Sequence, residues 1–180
     1  MLNKEAADII KSTMDVQPPM AETYDSTHNG MVLLSPYHGE REMAENKRLA
    51  YFVADKLGKI VYLLPRLDPK NSTEAPLRMV LLPYGVFENK SPDFYIGGLI
   101  FEGKSMLKIK VSGDCHNAIL NRIKDAKEQA DNIVLEIPTF VSRKTVSNTI
   151  LGYLKQSSKD RIIIVKHGNK CYVYKKTRGR

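Results

Sequence analysis

Apolar and polar positions along the chain follow two periods, one helical and one strand-like. In GEREMAENKRLAYFVADKLGK, Met43, Lys47, Ala50, Ala54 and Leu57 recur at three- and four-residue spacings, joined by Phe52 and Val53. That spacing predicts a helix, with acidic residues crowding its first turns and Gly58 as its C-cap. IVYLLP then reads as a buried strand, LDPKNSTEAP as a loop and LRMVLLPYG as a second strand. DFYI and LIFEGK flank Gly97-Gly98, a two-residue connection of hairpin type, and SMLKIKV continues the strand-like alternation. HNAILNRIKDAKEQA predicts an amphipathic helix with Ile119, Ile123, Ala126 and Ala130 on one face. NIVLEIP is a short apolar strand ended by proline. SRKTVSNTILGYLKQS predicts a further helix, opened by Ser142 as N-cap and carrying Val146, Ile150 and Leu154 inward. RIIIVK, the turn HGNK and CYVYKK predict a closing hairpin before the basic tail TRGR.

This order predicts a single α+β (mixed α/β) domain, a central sheet of about five to seven strands with about three packed helices. Residues 1–38 read differently. A short amphipathic segment (Ala6, Ala7, Ile9, Ile10) precedes QPPMAETYDSTHNG, rich in turn formers, so 1–38 is expected to be an extension or linker and 39–180 the folded domain.

Composition narrows the class. The chain has 180 residues, 42% hydrophobic and 27% charged, which fits a soluble globular protein with a real core. No apolar run approaches the roughly 20 residues that span a bilayer, and the N-terminus lacks a signal-peptide pattern. Two cysteines, Cys115 and Cys171, without a CxxC or Cys/His cluster, point away from a disulfide or zinc scaffold and toward a cytoplasmic setting. The net charge of +8 is unevenly divided. Residues 1–90 carry 11 Lys/Arg and 12 Asp/Glu (11 − 12 = −1), and residues 91–180 carry 17 and 8 (17 − 8 = +9). A half so basic attracts polyanions, nucleic acid first among them; a basic surface kept for solubility is the bland alternative.

The hairpin KSPDFYIGGLIFEGKS carries the candidate chemistry. Asp93 begins one strand; Glu102 and Lys104, two residues apart, share a face of the next. With a divalent cation such as Mg2+, Asp93 and Glu102 supply hard oxygen ligands and Glu45 a further carboxylate, in a pattern resembling the PD-(D/E)xK nuclease signature. Without a cofactor, the same groups suit a ribonuclease that uses the RNA 2′-OH as nucleophile. Glu102 or His116 would then exchange protons, while Lys104, Arg143 and Lys144 stabilise charge. Lys166 joins Arg143 and Lys144 as a phosphate contact, and Tyr172 and Tyr174 alternate on the last strand as stacking candidates. A solvated surface ion pair is the structural alternative. His38 ahead of the first helix either reaches a substrate or serves as a turn or cap residue; His167 is read as an exposed turn residue and Cys171 as a small core residue.

From about Gly39 to Lys175 the chain also resembles a family. The matching blocks are ENKRLAYFVADKLGKIVYLLP, KSPDFYIGGLIFEGKS, KEQADNIVLEIP, SRKTVSNTILGYLK and IIIVKHGNKCYVY. They resemble the tRNA nuclease C-terminal domains of CdiA-type contact-dependent growth inhibition toxins, of the barnase–EndoU–colicin–RelE-like ribonuclease group. The resemblance implies a nuclease-like domain over 39–180 that cleaves tRNA in the cytoplasm, with Asp93, Glu102, Lys104 and Ser105 at its centre. It further implies RNA contacts from Asn117, Ser142 and Lys144. An acidic immunity protein that covers the basic face is the implied partner. The chain departs from the family in the longer SMLKIKVSGDCHN segment and in residues 1–38. A mobile-element toxin, a domesticated RNA-processing enzyme and a non-catalytic binding derivative all fit these departures.

Overall fold

A computed structural model describes residues 23–40, 42–83, 85–108 and 114–176. Among these residues the fold is α+β, with four helices and eight strands, slightly more than the pattern predicts. The chain groups into two compact units, Met1–Ile100 and Phe101–Arg180.

In the first unit the strands lie in chain order: β1 (Thr23–Ser26), β2 (Met31–Leu34), β3 (Ile60–Leu63) and β4 (Phe94–Ile96). β1 and β2 pair antiparallel, β2 and β3 parallel, and β3 and β4 antiparallel. The parallel step requires a crossover, which α1 (Met43–Leu57) supplies while packing on β2 and β3. Leu33, Tyr62, Leu64 and Leu82 form one buried cluster of this unit.

Four expectations are corrected here. Residues 23–38 are not an extension: MVLL is a strand with Val32 and Leu33 buried. The turn formers before it close the β1–β2 turn, where the backbone N–H of Thr27 bonds Gly30 and that of Gly30 bonds the Thr27 hydroxyl. The amphipathic segment before residue 23 lies outside the described residues. LRMVLLPYG does not form a strand either; Glu74–Leu81 is α2. The Asn71 side chain accepts from the backbone N–H of Thr73 and Glu74 at 2.9 and 3.3 Å, and Pro76 sits in the first turn, where its missing N–H costs no bond. The buried face of α1 keeps Ala50, Val53 and Ala54 of the expected positions but adds Asn46 and Leu49, while Met43, Lys47, Phe52 and Leu57 are only partly buried, because Asn46 has polar partners inside. Finally, β5 (Leu99–Ser105) stops short of SMLKIKV: Leu107 and Lys108 turn, and residues 109–113 lie outside the described residues.

The second unit matches the pattern closely. β5, β6 (Asn132–Ile137) and β7 (Arg161–His167) are parallel neighbours, and β8 (Lys170–Lys176) returns antiparallel along β7. α3 (Cys115–Lys127) and α4 (Arg143–Gln156) are the two crossovers. Ile119, Ile123 and Ala126 of α3 and Val146, Ile150 and Leu154 of α4 join Ile133, Leu135, Ile137, Ile163 and Val165 of the sheet in one core. Ser142 caps α4 by accepting from the Thr145 N–H at 3.1 Å, as expected. Near the end of the first unit, Gly97 and Gly98, at φ 55° and 83°, form the tight connection after β4 that needs two left-handed residues. The tail TRGR lies outside the described residues.

Candidate functional site

Asp93 precedes β4 in the first unit and is 2% exposed. Its Oδ1 accepts from Asn46 Nδ2 at 2.8 Å and faces Arg66 Nη2 at 3.5 Å. Arg66 in turn holds Glu42 at 2.8 Å. His38, wholly buried, completes a polar chain. Its Nδ1 lies 2.6 Å from the Leu64 carbonyl, which can only accept, so Nδ1 carries the proton and Nε2 receives Asn46 Nδ2 at 3.3 Å. Burial depresses the His38 pKa, against the raising effects of the Leu64 carbonyl and Asp93, which fits a neutral ring. His38 is therefore an internal tie rather than a surface cap. Asp93, Asn46 and His38 together fasten α1 to the segments around Leu64 and Asp93, an arrangement suited to holding structure.

In the second unit, strand register sorts the predicted residues onto two faces. Lys104 pairs with Leu135, Leu135 with Val165 and Val165 with Tyr172; Glu102 pairs with Ile133, Ile133 with Ile163 and Ile163 with Tyr174. Residues in register share a face, so Glu102 and Lys104 lie on the face that α3 and α4 cover. Glu102 is 3% exposed and accepts from Lys104 Nζ at 2.6 Å, with the Lys104 side chain reaching partly into solvent. At the other end of the Lys104 row, three strand spacings or roughly 14 Å away, the Arg143 guanidinium lies 4.9 Å from the centre of the Tyr172 ring. Arg143 opens α4, where the helix dipole favours anions. This face thus carries a buried carboxylate, a cation bonded to it and a stacked Arg–Tyr pair.

Ser105 and Lys166 lie on the opposite face, in one row with Glu136. Glu136, 1% exposed, accepts from Lys166 Nζ at 2.7 Å and from Ser105 Oγ at 2.8 Å. Their positions near the C-terminal ends of three parallel strands are those at which open sheets of this kind place ligands. The expected cluster of Glu102, Lys104 and Ser105 is therefore split by the pleat.

The remaining candidates are placed elsewhere. His116, on α3, bonds Thr149 Oγ1 of α4 at 2.8 Å through Nδ1. Asn117 is engaged with the α3 cap: its N–H and its Nδ2 donate to Asp114 at 3.1 and 2.6 Å. Ser142 caps α4, and Lys144 is exposed in its first turn. Glu45 lies on α1. Among the described residues no three His, Cys, Asp or Glu side chains are grouped so as to hold a metal ion. Cys115 is partly buried against the core, and Cys171 is only half-buried on β8.

Sequence reasoning missed Asn46, Arg66 and Glu136. Glu136 left a signal, since it is the one charge within the apolar NIVLEI strand, and a buried carboxylate needs a cation. Asn46 left none, because an Asn on a helix of mixed polarity looks exposed.

Residues 90–171 match the family model of the contact-dependent growth inhibition CdiA C-terminal domain. The segment is thus similar to the C-terminal toxin domain of that system, and it contains Glu102, Lys104, Glu136 and Arg143. No curated protein and no solved structure matches the chain. Among the described residues no helix is long and apolar enough to cross a membrane.

Proposed function

We propose that the protein is a toxin-type endoribonuclease of the barnase–EndoU–colicin–RelE-like group, acting on tRNA in the cytoplasm and neutralised by an acidic immunity protein. The observation that carries this reading is the buried Glu102 bonded to Lys104 at 2.6 Å inside the segment similar to a CdiA toxin domain, on the sheet face that ends in the stack of Arg143 on Tyr172, one residue beyond that segment.

The chemistry follows from these groups. Arg143 holds the phosphate backbone while the Tyr172 ring offers a stacking surface. Glu102 accepts the 2′-OH proton as the 2′ oxygen attacks phosphorus. The P–O5′ bond breaks, and the leaving oxygen takes a proton from the Lys104 ammonium, whose charge also stabilises the phosphorane. Products are a 2′,3′-cyclic phosphate and a 5′-hydroxyl. The Glu102–Lys104 hydrogen bond then returns the proton from the carboxylic acid to the amine and resets the pair.

Purified protein incubated with total tRNA tests the proposal. Cleavage that survives a chelator, leaves a cyclic phosphate, and drops at least a hundredfold in Lys104→Ala and Glu102→Gln supports it. Cleavage abolished by chelation indicates the metal-dependent alternative. Salt-dependent tRNA binding with no cleavage under any metal condition refutes the enzyme and leaves a binding module.

A further inference from the structure

A groove of about 470 Å³ runs between α3 and α4 in the second unit, lined by His116 and Thr149 at one end and Arg161 at the other. Lys124 and Lys127 of α3 form one wall and Gly152 of α4 belongs to the other. We propose that this groove is a second RNA-binding site, which grips the phosphodiester backbone apart from the Glu102–Lys104 pair. The inference rests on the RNA reading above but not on catalysis.

Two independent observations carry it. The first is charge. Lys124 and Lys127 are exposed, one helical turn apart, and the neighbouring Asp125 is paired with Arg122 at 3.5 Å. Arg161 is held by Asp131 at 3.2 Å and by Ser157 at 3.2 Å, so it shapes the wall while the two lysines supply the available cations. The second is Gly152. A glycine inside a helix lowers stability relative to alanine, and a Cβ built at Gly152 meets nothing within 4 Å. Packing of the fold therefore does not require glycine there. What glycine does provide is an open wall, where a sugar–phosphate backbone approaches the helix closely. At the His116 end the buried Thr149 holds the exposed His116 ring through Nδ1 at 2.8 Å, which leaves Nε2 as the polar atom able to meet a phosphate or ribose hydroxyl.

The test uses the full chain carrying Lys104→Ala, so that RNA is not consumed, and measures labelled tRNA binding by anisotropy between 50 and 200 mM salt. Adding Lys124→Ala with Lys127→Ala removes two phosphate contacts. The slope of log K against log salt should fall by about 1.4 to 1.8, so the variant loses roughly seven- to twelvefold less affinity over that range. Gly152→Ala should raise Tm, and Gly152→Leu should weaken binding at least fivefold without lowering Tm. Wild-type affinity and slope in both groove variants would overturn the groove while leaving the ribonuclease reading intact; a groove that serves an acidic protein gives this result. No tRNA binding by the parent overturns both. Binding that responds to the groove variants, together with a wild type that never cleaves, retains the groove and removes the enzyme.

Discussion

Replacing Asp93 with Asn separates an anchoring role from a catalytic one. The carboxylate is 2% exposed and receives Asn46 at 2.8 Å and Arg66 at 3.5 Å. In Asp93→Asn the amide oxygen still accepts from Asn46, so a charge-assisted bond becomes a neutral one, a loss of about 1 kcal/mol. The new amide donors are buried among groups arranged to face an anion, which costs about 1–3 kcal/mol. Arg66 loses little, because it keeps Glu42 at 2.8 Å and a partly exposed side chain. The total is about 2–4 kcal/mol, a large share of a domain's stability. Urea denaturation followed by circular dichroism reads it as a lower midpoint at unchanged slope. A second readout sharpens the case: Asp93 raises the His38 pKa, so its removal should lower that pKa further, visible by NMR titration. tRNA cleavage, measured where the variant is folded, should stay within about tenfold of wild type, since no step in the proposed chemistry uses Asp93. An unfolding midpoint equal to wild type together with lost cleavage would refute the anchoring argument and return Asp93 to the active site.

Three further outcomes follow from buried polar groups. His38 has a folded pKa below its unfolded value of 6.5, so the unfolded chain binds a proton first as pH falls. Its contribution is constant above that value and lost below it, by up to about 1.4 kcal/mol per pH unit, and urea midpoints from pH 7 to 5 should fall less in His38→Gln than in wild type. Arg78 donates to the carbonyls of Leu67, Glu88 and Lys90 and to Ser91 Oγ, so Arg78→Leu leaves several acceptors unmet and should cost about 3–5 kcal/mol in the same assay. Glu136→Gln leaves Lys166 without its carboxylate and should cost about 2–4 kcal/mol, with much of the loss recovered when Lys166→Met is added; a double variant no more stable than Glu136→Gln alone would contradict the pairing.

The second unit was legible because its elements agree with themselves. α3 and α4 bury the apolar residues that their spacing indicates, and Ser142 caps where it stands. The first unit hides its organisation in polar side chains turned inward. Asn46 shifts the buried face of α1, Arg78 of α2 sits inside a run that reads as strand, and the turn at Thr27–Gly30 looks like linker composition. At Asn46 and Arg78 a tertiary hydrogen bond overrides a local pattern, at Thr27–Gly30 a local turn does, and hydrophobic periodicity contains no record of either.

The candidate site shows a related limit. Sequence spacing correctly puts Glu102 and Lys104 on one face, because two residues along a strand return to the same side. The same rule separates Ser105 from them, and family resemblance, which carries residues over by position, cannot see that separation. Ser105 joins Glu136 and Lys166 instead, a row that exists only through the pairing of β5 with β6 and β6 with β7. Two charged rows thus occupy opposite sides of one set of strands, and they ask different things of mutagenesis. If Glu102 and Lys104 carry the chemistry, Glu136→Gln should act on stability first, with cleavage following only as far as the sheet is disturbed. Equal stability with lost cleavage in Glu136→Gln would move the active centre to the other face.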